Sequence, residues 1–231
     1  MLEGTERTAN MRKIFYTFCI VISFLTTTVY ASPSTLPTIQ SDAKNFDFAT
    51  GEWILTGNVI AQTEVWKATA DYVRVHPINL TIQASGNVTL TIKGIFIQAD
   101  QVAFNNQQQV ANLSGNIKIA FDAIRATAST GTYHLQSKTS DLFGAVTLSP
   151  SSGGFINSRS AHFALTDRRV TFTSPIEFEL YKEYSGSGIS GHALSGEYSI
   201  NDEKAIFSQV NYHPIPSGID TSVDTLSYSS K

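Results

Sequence analysis

The stretch Ser85-Gly86-Asn87-Val88-Thr89-Leu90 decides the fold, because its Gly-Asn-Val core returns at a fixed interval of 29 residues. The other copies are Gly57-Asn58-Val59, Gly115-Asn116-Ile117 and Gly144-Ala145-Val146. A second marker keeps the same interval, at Asp42, Asp71, Asp100 and Ser129. Two markers on one period of this length are typical of a repeat architecture, in which each unit buries its apolar face against its neighbours.

Within each copy, apolar and polar side chains alternate, as residues 87–92 (Asn-Val-Thr-Leu-Thr-Ile) illustrate. An alternation with period two indicates a strand with one buried face. No stretch after residue 31 has the 3.6-residue apolar period of a helix. We therefore predict an all-β fold of strand-pair repeats, with strands at 52–62, 65–75, 80–92, 95–104, 110–121 and 124–133. A loop at 149–154 interrupts the fourth repeat, and a hairpin at 193–212 closes the domain.

The composition argues against several classes of function. The chain has 231 residues, 15% of them charged, and a net charge of −3, so nothing favours nucleic acid as a partner. The histidines are scattered without metal-ligand spacing, so we expect no metal site and no cofactor. Residues 186–191 match G-x-G-x-x-G, but a strand-like run follows instead of the helix that a dinucleotide site requires. We therefore expect that the protein is not an enzyme.

The N-terminal residues have the pattern of a secretory signal. Arg12-Lys13 precede an apolar run at 14–29, and Val29-Tyr30-Ala31 places small residues at the −3 and −1 positions of a cleavage site. We expect residues 1–31 to be a signal peptide, with Met11 as an alternative start. The alternative is an uncleaved membrane anchor, although 14–30 is shorter than the about 20 apolar residues that a span prefers. The sole cysteine, Cys19, lies in this segment, so cleavage leaves no thiol.

The repeated phrases resemble the OstA-like family, the LptA-type periplasmic proteins of lipopolysaccharide transport. The matching segments are 71–75 (Asp-Tyr-Val-Arg-Val) with 85–90, and 98–104 (Gln-Ala-Asp-Gln-Val-Ala-Phe) with 113–117 (Leu-Ser-Gly-Asn-Ile). The resemblance covers 42–148, and residues 168–212 are more similar to the related LptC-type domain. It implies a twisted, half-open β-jelly-roll (a β-taco) over residues 32–212, located in the periplasm, whose apolar interior accepts the acyl chains of lipid A.

Stacked apolar columns define the inward face of these repeats. A shift of 29 residues aligns, for example, the column Ala61/Leu90/Ile119/Leu148. Because each methylene left in water costs about 0.8 kcal/mol, a lipid carrier needs a continuous dry groove, and such columns can supply one. The alternative is that the columns are ordinary core. The expected groove residues are Leu55, Val59, Ala61, Trp66, Ala84, Val88, Leu90, Ile92, Ile95, Ile97, Leu113, Ile117, Ile119, Phe121 and Ile124.

Some large or charged residues have two interpretations. Trp53, Trp66 and Phe121 can form the floor of a groove or plug it. Basic side chains at the groove mouth would contact lipid phosphates, or they are ordinary surface charges. The candidates are Lys93, Arg125, Arg168, Arg169 and Lys182.

The two ends of the stack are predicted to be unpaired edges that bind partners. The expected contact residues are Phe46 and Phe48 at the N-terminal edge, and Ile206, Phe207 and Val210 at the C-terminal edge. Residues 213–231 are polar, and we predict a flexible tail there. Edge-strand pairing would join the chain to other lipopolysaccharide-transport proteins or to copies of itself, head to tail. The alternatives are that the leader and the tail cover these edges, that the protein is an LptC-like acceptor anchored in the inner membrane, or that it is a secreted β-solenoid scaffold or adhesin.

Overall fold

A computed structural model of the chain describes residues 38–64, 66–92, 94–105, 107–182, 186–216 and 218–230, without the side chains of Ile92 and Ser174. The predicted signal segment lies outside these residues. The described part is all-β, and none of its segments is a helix that could span a membrane. Its fourteen strands are β1 Thr38–Gln40, β2 Ala43–Asp47, β3 Glu52–Gln62, β4 Trp66–His76, β5 Thr81–Ile92, β6 Ile95–Asn105, β7 Val110–Phe121, β8 Ile124–His134, β9 Thr139–Pro150, β10 Gly154–Ala164, β11 Arg169–Tyr181, β12 Gly188–Ser199, β13 Lys204–Ile215 and β14 Thr221–Ser229.

The strands form a single antiparallel sheet. From β3 to β14 each strand pairs with the next, while β1 and β2 both pair with β3. The turns therefore lie on two sides of the sheet. We call the side with the turns that follow β3, β5, β7, β9, β11 and β13 the first margin. The side with the turns that follow β2, β4, β6, β8, β10 and β12 is the second margin.

The strand predictions for the repeats are confirmed. Strands β3 and β7 begin and end where predicted, and β4, β5, β6 and β8 differ from prediction by one residue at most at either end. A strand, β12, begins inside the G-x-G-x-x-G match, at Gly188, in place of the helix that a dinucleotide site requires. The loop predicted at 149–154 is shorter, because β9 extends to Pro150 and β10 starts at Gly154.

A bulge and a side-chain contact explain which residue types recur every 29 residues. Two residues of β5, Gly86 and Asn87, lie opposite a single residue of β6, Asp100. Strand β5 therefore has one extra residue at this point, which makes a β-bulge. On the other side, Asn87 Nδ2 donates to Asp71 Oδ2 of β4 at 2.9 Å. The repeats before and after contain the same contact, as Asn58–Asp42 at 2.9 Å and Asn116–Asp100 at 2.8 Å. We call this Asp–Asn contact the clasp.

The residue types of the clasp follow from its backbone. Gly86 has φ +74° and Asn87 has φ 47°, and glycine and asparagine tolerate this left-handed region best. A Cβ on Gly86 would lie 2.5 Å from Asp71 Oδ2, so the close approach also requires glycine. The fourth repeat departs from the pattern, since Ser129 Oγ donates to the Gly144 carbonyl at 2.8 Å.

The buried side chains form two clusters. The N-terminal cluster comprises Leu55, Val59, Ala61, Trp66, Ala70, Val73, Val75 and Val88. The larger C-terminal cluster extends from β6 to β13 and includes the stacked rings of Phe178 and Phe207, 4.2 Å apart. Its members Leu142, Val146 and Leu148 are 0% exposed, so this half of the sheet encloses a dry core.

The prediction for the C-terminal edge is wrong. Strand β13 pairs with β12 on one side and with β14 on the other, so it is not an edge. Phe207 and Val210 are buried in the C-terminal cluster, and only Ile206, 38% exposed, faces outward. The predicted flexible tail contains β14, whose Val223, Leu226 and Tyr228 pack against that cluster. The sheet therefore continues to Ser229, because the tail buries apolar side chains there.

The N-terminal end of the sheet is an edge within the described residues. Strand β2 pairs with β3 alone. Phe46 contacts the rings of Phe48 and Trp53 at centroid distances of 5.0 and 5.1 Å, and Phe48 is 85% exposed. A partner role for Phe46 and Phe48 stays a prediction.

Candidate functional site

An apolar cavity of about 240 Å³ lies inside the folded sheet, between the two clusters. Strands β4 to β8 supply most of its wall, and Phe163 and Leu165 close it at the C-terminal end. The lining residues are Ala68, Ile82, Ala84, Val88, Thr89, Leu90, Ile95, Ile97, Ala99, Val102, Phe104, Ala111, Leu113, Ile119, Phe121, Tyr133, Ser140, Phe163 and Leu165.

The structure divides the predicted groove residues into two groups. Those that line the cavity are Ala84, Val88, Leu90, Ile95, Ile97, Leu113, Ile119 and Phe121. Leu55, Val59, Ala61 and Trp66 are packed in the N-terminal cluster, and Ile117 and Ile124 in the C-terminal cluster. Ile92 lies on β5, opposite Ile95. The cavity is therefore shorter than a groove that runs through all four repeats. Of the aromatic residues predicted to form a floor or a plug, Phe121 lines the cavity and Trp66 is packed in the N-terminal cluster.

Several lining residues were not among those predicted. Ile82, Ala111 and Ser140 form one column under the 29-residue shift, and Phe104 and Tyr133 form another, so the repeat contained a signal for these five. Phe163 and Leu165 lie after the regular repeats. They reach the cavity because the sheet folds over, and the sequence period gives no signal for that.

Three of the lining residues carry hydroxyl groups. Thr89 lies between the inward Val88 and Leu90, so its side chain points to the outer face, where Oγ1 lies 2.7 Å from Thr69 Oγ1. Burial raises the pKa of the Tyr133 hydroxyl, which therefore remains protonated at neutral pH and can donate. Ser140 is only 5% exposed, and its Oγ has no hydrogen-bond partner among the described residues.

An ion pair lies at the rim of the cavity. Arg168, in the turn after β10, pairs through Nη2 with Oδ2 of Asp122, in the turn after β7. The Arg168 guanidinium also lies 5.2 Å from the centre of the Phe121 ring, which lines the cavity. These turns belong to opposite margins, so the sheet folds over until its margins meet here. We call the Arg168–Asp122 contact the rim ion pair.

Three of the other predicted cations do not line the cavity. Arg169 pairs with Glu197 of the neighbouring strand β12 at 3.1 Å, and neither Arg125 nor Lys182 lines the cavity. Lys93 lies outside the described residues. Within the part of the chain that the structure describes, no group of three or more His, Cys, Asp or Glu side chains is placed to hold a metal ion.

Comparison with known proteins gives three similarities. A family model described as LptA/(LptD N-terminal domain) LPS transport protein matches residues 38–162, more than half of the chain. The LPS-assembly protein LptD of Acinetobacter baylyi (strain ATCC 33305 / BD413 / ADP1) is 29% identical over 138 residues, which cover 58% of this chain and 16% of LptD. The chain thus corresponds to a small part of that relative.

A solved structure is also similar. It is the crystal structure of LptH, the LptA homologous periplasmic component of the lipopolysaccharide transport device from Pseudomonas aeruginosa, with a TM-score of 0.41 and 14% identity over 47% of this chain and 82% of LptH. The family model covers the clasp repeats and the strands around the cavity, from β1 into β10. The chain therefore belongs to the LptA/LptD N-terminal domain family of lipopolysaccharide-transport proteins.

Proposed function

We propose that this protein is a periplasmic carrier of lipopolysaccharide that shields acyl chain segments in the cavity between β4 and β10. The observation that carries the proposal is the wall of that cavity, which is apolar apart from Thr89, Tyr133 and Ser140. Each methylene that leaves water for such a wall contributes about 0.8 kcal/mol. The volume is just below the roughly 300–1,000 Å³ typical of small-molecule pockets, which fits part of an acyl chain and not a whole lipopolysaccharide.

Photo-crosslinking in cells tests this proposal. A photoreactive amino acid at Ile119, which lines the cavity, should capture lipopolysaccharide. The matched control is Lys118, the exposed neighbour on the same strand, whose side chain points to the opposite face. Capture from position 119 and not from 118 would support the carrier. Equal capture from both positions, or from neither, would contradict it.

We also propose that both ends of the sheet pair with other transport proteins or with further copies of this chain. Strand β2 contains Phe46 of the predicted N-terminal edge, and β14 takes the place of β13 at the C-terminal end; each of the two has one neighbouring strand within the described residues. Unpaired edge strands can accept a further strand from a partner. Crosslinkers at Phe48 and at Thr225, both exposed, should capture a second protein if the edges are used. Recovery of monomer alone from both positions would count against edge pairing.

Export by a cleaved signal is the remaining part of the proposal. N-terminal sequencing of the mature protein should give Ser32 as the first residue. A mature chain that retains residues 14–30 would instead favour the alternative of an inner-membrane acceptor.

A further inference from the structure

A polar cleft of about 600 Å³ lies on the outer face of the sheet, opposite the buried clusters, where β11, β12 and β13 approach the first margin. It has no lining residue in common with the apolar cavity. The segment 186–191, which matches G-x-G-x-x-G without a dinucleotide site, ends in this cleft with Ser190 and Gly191. His213 and Asp220 line the same cleft.

Strand pairing brings a serine, a histidine and an aspartate together there. Ser190 of β12 lies opposite His213 of β13, with Ser190 Oγ 2.8 Å from His213 Nε2. The other ring nitrogen, Nδ1, lies 3.7 Å from Oδ1 of Asp220, in the turn before β14. This second contact is longer than a hydrogen bond, but such contacts are often loose until substrate binds. Spacing along the chain contains no signal for the arrangement, because the pairing of β12 with β13 creates it.

The order of these groups is the one that activates a serine hydroxyl. With the ring proton on Nδ1, the side that faces the Asp220 carboxylate, Nε2 accepts the hydrogen bond from Ser190 Oγ. An imidazole in that tautomer can take the hydroxyl proton as the oxygen attacks a carbonyl carbon. The arrangement is recognised by geometry and by the role of each group, whatever their order in the chain. Ser190 is only half-buried and His213 is 50% exposed, so a substrate can reach both.

Asn211 supplies a hydrogen-bond donor for the carbonyl oxygen that is attacked. It lines the cleft on β13, two residues before His213 and opposite His192 of β12. Its Oδ1 accepts a hydrogen bond from Ser222 Oγ of β14, which orients the amide. Its Nδ2 has no hydrogen-bond partner among the described residues, so it is available to donate into the cleft.

The charges of the cleft indicate the class of substrate. The lining contains three carboxylates, Glu177, Glu179 and Asp220, and none of its described residues is a lysine or an arginine. Glu179 lies opposite Ser190 on β11. A lining of one sign attracts ligands of the other sign and repels those of its own. A cationic ester is therefore favoured, and its positive charge also offsets the carboxylates while the carbonyl oxygen becomes negative.

We propose that Ser190 and His213, positioned by Asp220, hydrolyse carboxylic esters that carry a positive charge. Ser190 Oγ attacks the ester carbonyl carbon while His213 Nε2 takes the hydroxyl proton. The ester C–O bond breaks, His213 returns the proton to the leaving alkoxide, and the acyl group remains on Ser190. Water then attacks the acyl carbon and gives a proton to His213, which passes it to Ser190 Oγ as the carboxylic acid leaves. Asn211 Nδ2 donates to the carbonyl oxygen in both steps.

Ester hydrolysis by the full chain tests the site. The probes are three p-nitrophenyl esters of matched size: the cationic ester of γ-butyrobetaine, its neutral isostere with a tert-butyl group in place of the trimethylammonium group, and the anionic monoester of glutarate. We expect kcat/KM to fall in that order, with at least about a 10-fold difference between the cationic and the anionic ester. A burst of p-nitrophenol should precede steady turnover. Mass spectrometry after treatment with a fluorophosphonate should place the adduct on Ser190.

Variants separate the roles of the residues. Ser190→Ala and His213→Gln should lower kcat/KM for the cationic ester by at least about 100-fold, and Asn211→Ala by about 100-fold. Asp220→Asn should lower kcat by about 10-fold with little change in KM, since it orients the ring without touching substrate, and Asp220→Glu should restore most of that loss. Ser195→Ala is the matched control, because Ser195 is an exposed serine of β12 outside the cleft, and it should keep the wild-type rate.

Three results would overturn the inference. These are a fluorophosphonate adduct that is absent from Ser190, turnover that persists in Ser190→Ala, and hydrolysis of the anionic ester as fast as that of the cationic one. None of these results bears on the carrier proposal, because the cleft and the acyl cavity have no lining residue in common.

Discussion

At Gly86 both the backbone conformation and a neighbouring side chain disfavour any residue that has a Cβ. The residue has φ +74°, and a Cβ there would lie 2.8 Å from Asp71 Cβ as well as 2.5 Å from its Oδ2. Gly51 has nearly the same φ, +71°, but a Cβ there would have no heavy atom within 4 Å. The two glycines therefore separate backbone strain from steric conflict within one protein.

We predict that Gly86→Ala lowers the free energy of unfolding by about 2–4 kcal/mol, since strain and a clash combine. Gly51→Ala should cost only about 1 kcal/mol, from the backbone alone. Urea denaturation of both variants measures the difference. Equal losses would mean that the Asp71 side chain moves away freely, and that the clasp does not require glycine.

The fourth repeat offers a stabilising substitution. Ala145 is exposed and has φ +53°, a conformation that costs alanine about 1 kcal/mol and that asparagine tolerates better. Ala145→Asn should therefore stabilise the protein by about 0.5–1 kcal/mol, and the double variant with Ser129→Asp should add about 1 kcal/mol by restoring the clasp hydrogen bond. Thermal unfolding measures both. Ala103→Asn, at an exposed strand position without positive φ, is the control and should bring no gain.

At the scale of elements, the 29-residue repeat predicts the strands inside it well, but it does not predict the strands that lie outside it. The strands β3 to β8 are evident because the bulge marker and the alternation keep one register over successive units. Strand β14 was missed because its sequence, Thr-Ser-Val-Asp-Thr-Leu-Ser-Tyr-Ser, is polar and lacks that marker. It is a strand because it pairs with β13 and covers the core, which is a tertiary effect that local sequence does not encode.

The repeat likewise predicts only part of the cavity. Ile119 and Leu148 stand in one apolar column, yet Ile119 lines the cavity and Leu148 is 0% exposed in the core. A column predicts which side chains point inward. It does not predict how far apart the two halves of the folded sheet lie, because that depends on contributions such as Phe163 from outside the repeats.

The packing of β14 gives a direct prediction. Leu226 is half-buried against the C-terminal cluster, while Thr225 is exposed on the same strand. We predict that Leu226→Ala lowers the free energy of unfolding by about 1–2 kcal/mol, through lost burial and packing. Thr225→Ala should stay within about 0.5 kcal/mol of the wild type. If both variants matched the wild type in urea denaturation, β14 would not be packed on β13 in solution.

Across the whole molecule, one half of the sheet is sealed and the other encloses a cavity, and the rim ion pair stands at the boundary between them. Arg168 and Asp122 come from opposite margins, and their side chains are 39% and 42% exposed. An ion pair this exposed contributes little to folding, about 0–1 kcal/mol. Its position next to Phe121 means that a lipid passing between the margins would have to separate the two charges.

We therefore predict that Arg168→Gln and Asp122→Asn leave the unfolding temperature almost unchanged but speed the release of a bound fluorescent acyl probe. The expected acceleration is about 2- to 5-fold for either variant, the kinetic equivalent of losing up to about 1 kcal/mol. The double variant should be no faster than the single ones, because either substitution already breaks the pair. Arg169→Gln is the matched control: its partner Glu197 lies on the adjacent strand, away from the lining, so release should keep the wild-type rate. Stopped-flow release that is equally fast in the control, or unchanged in all variants, would mean that acyl chains leave by a route that does not cross the rim ion pair.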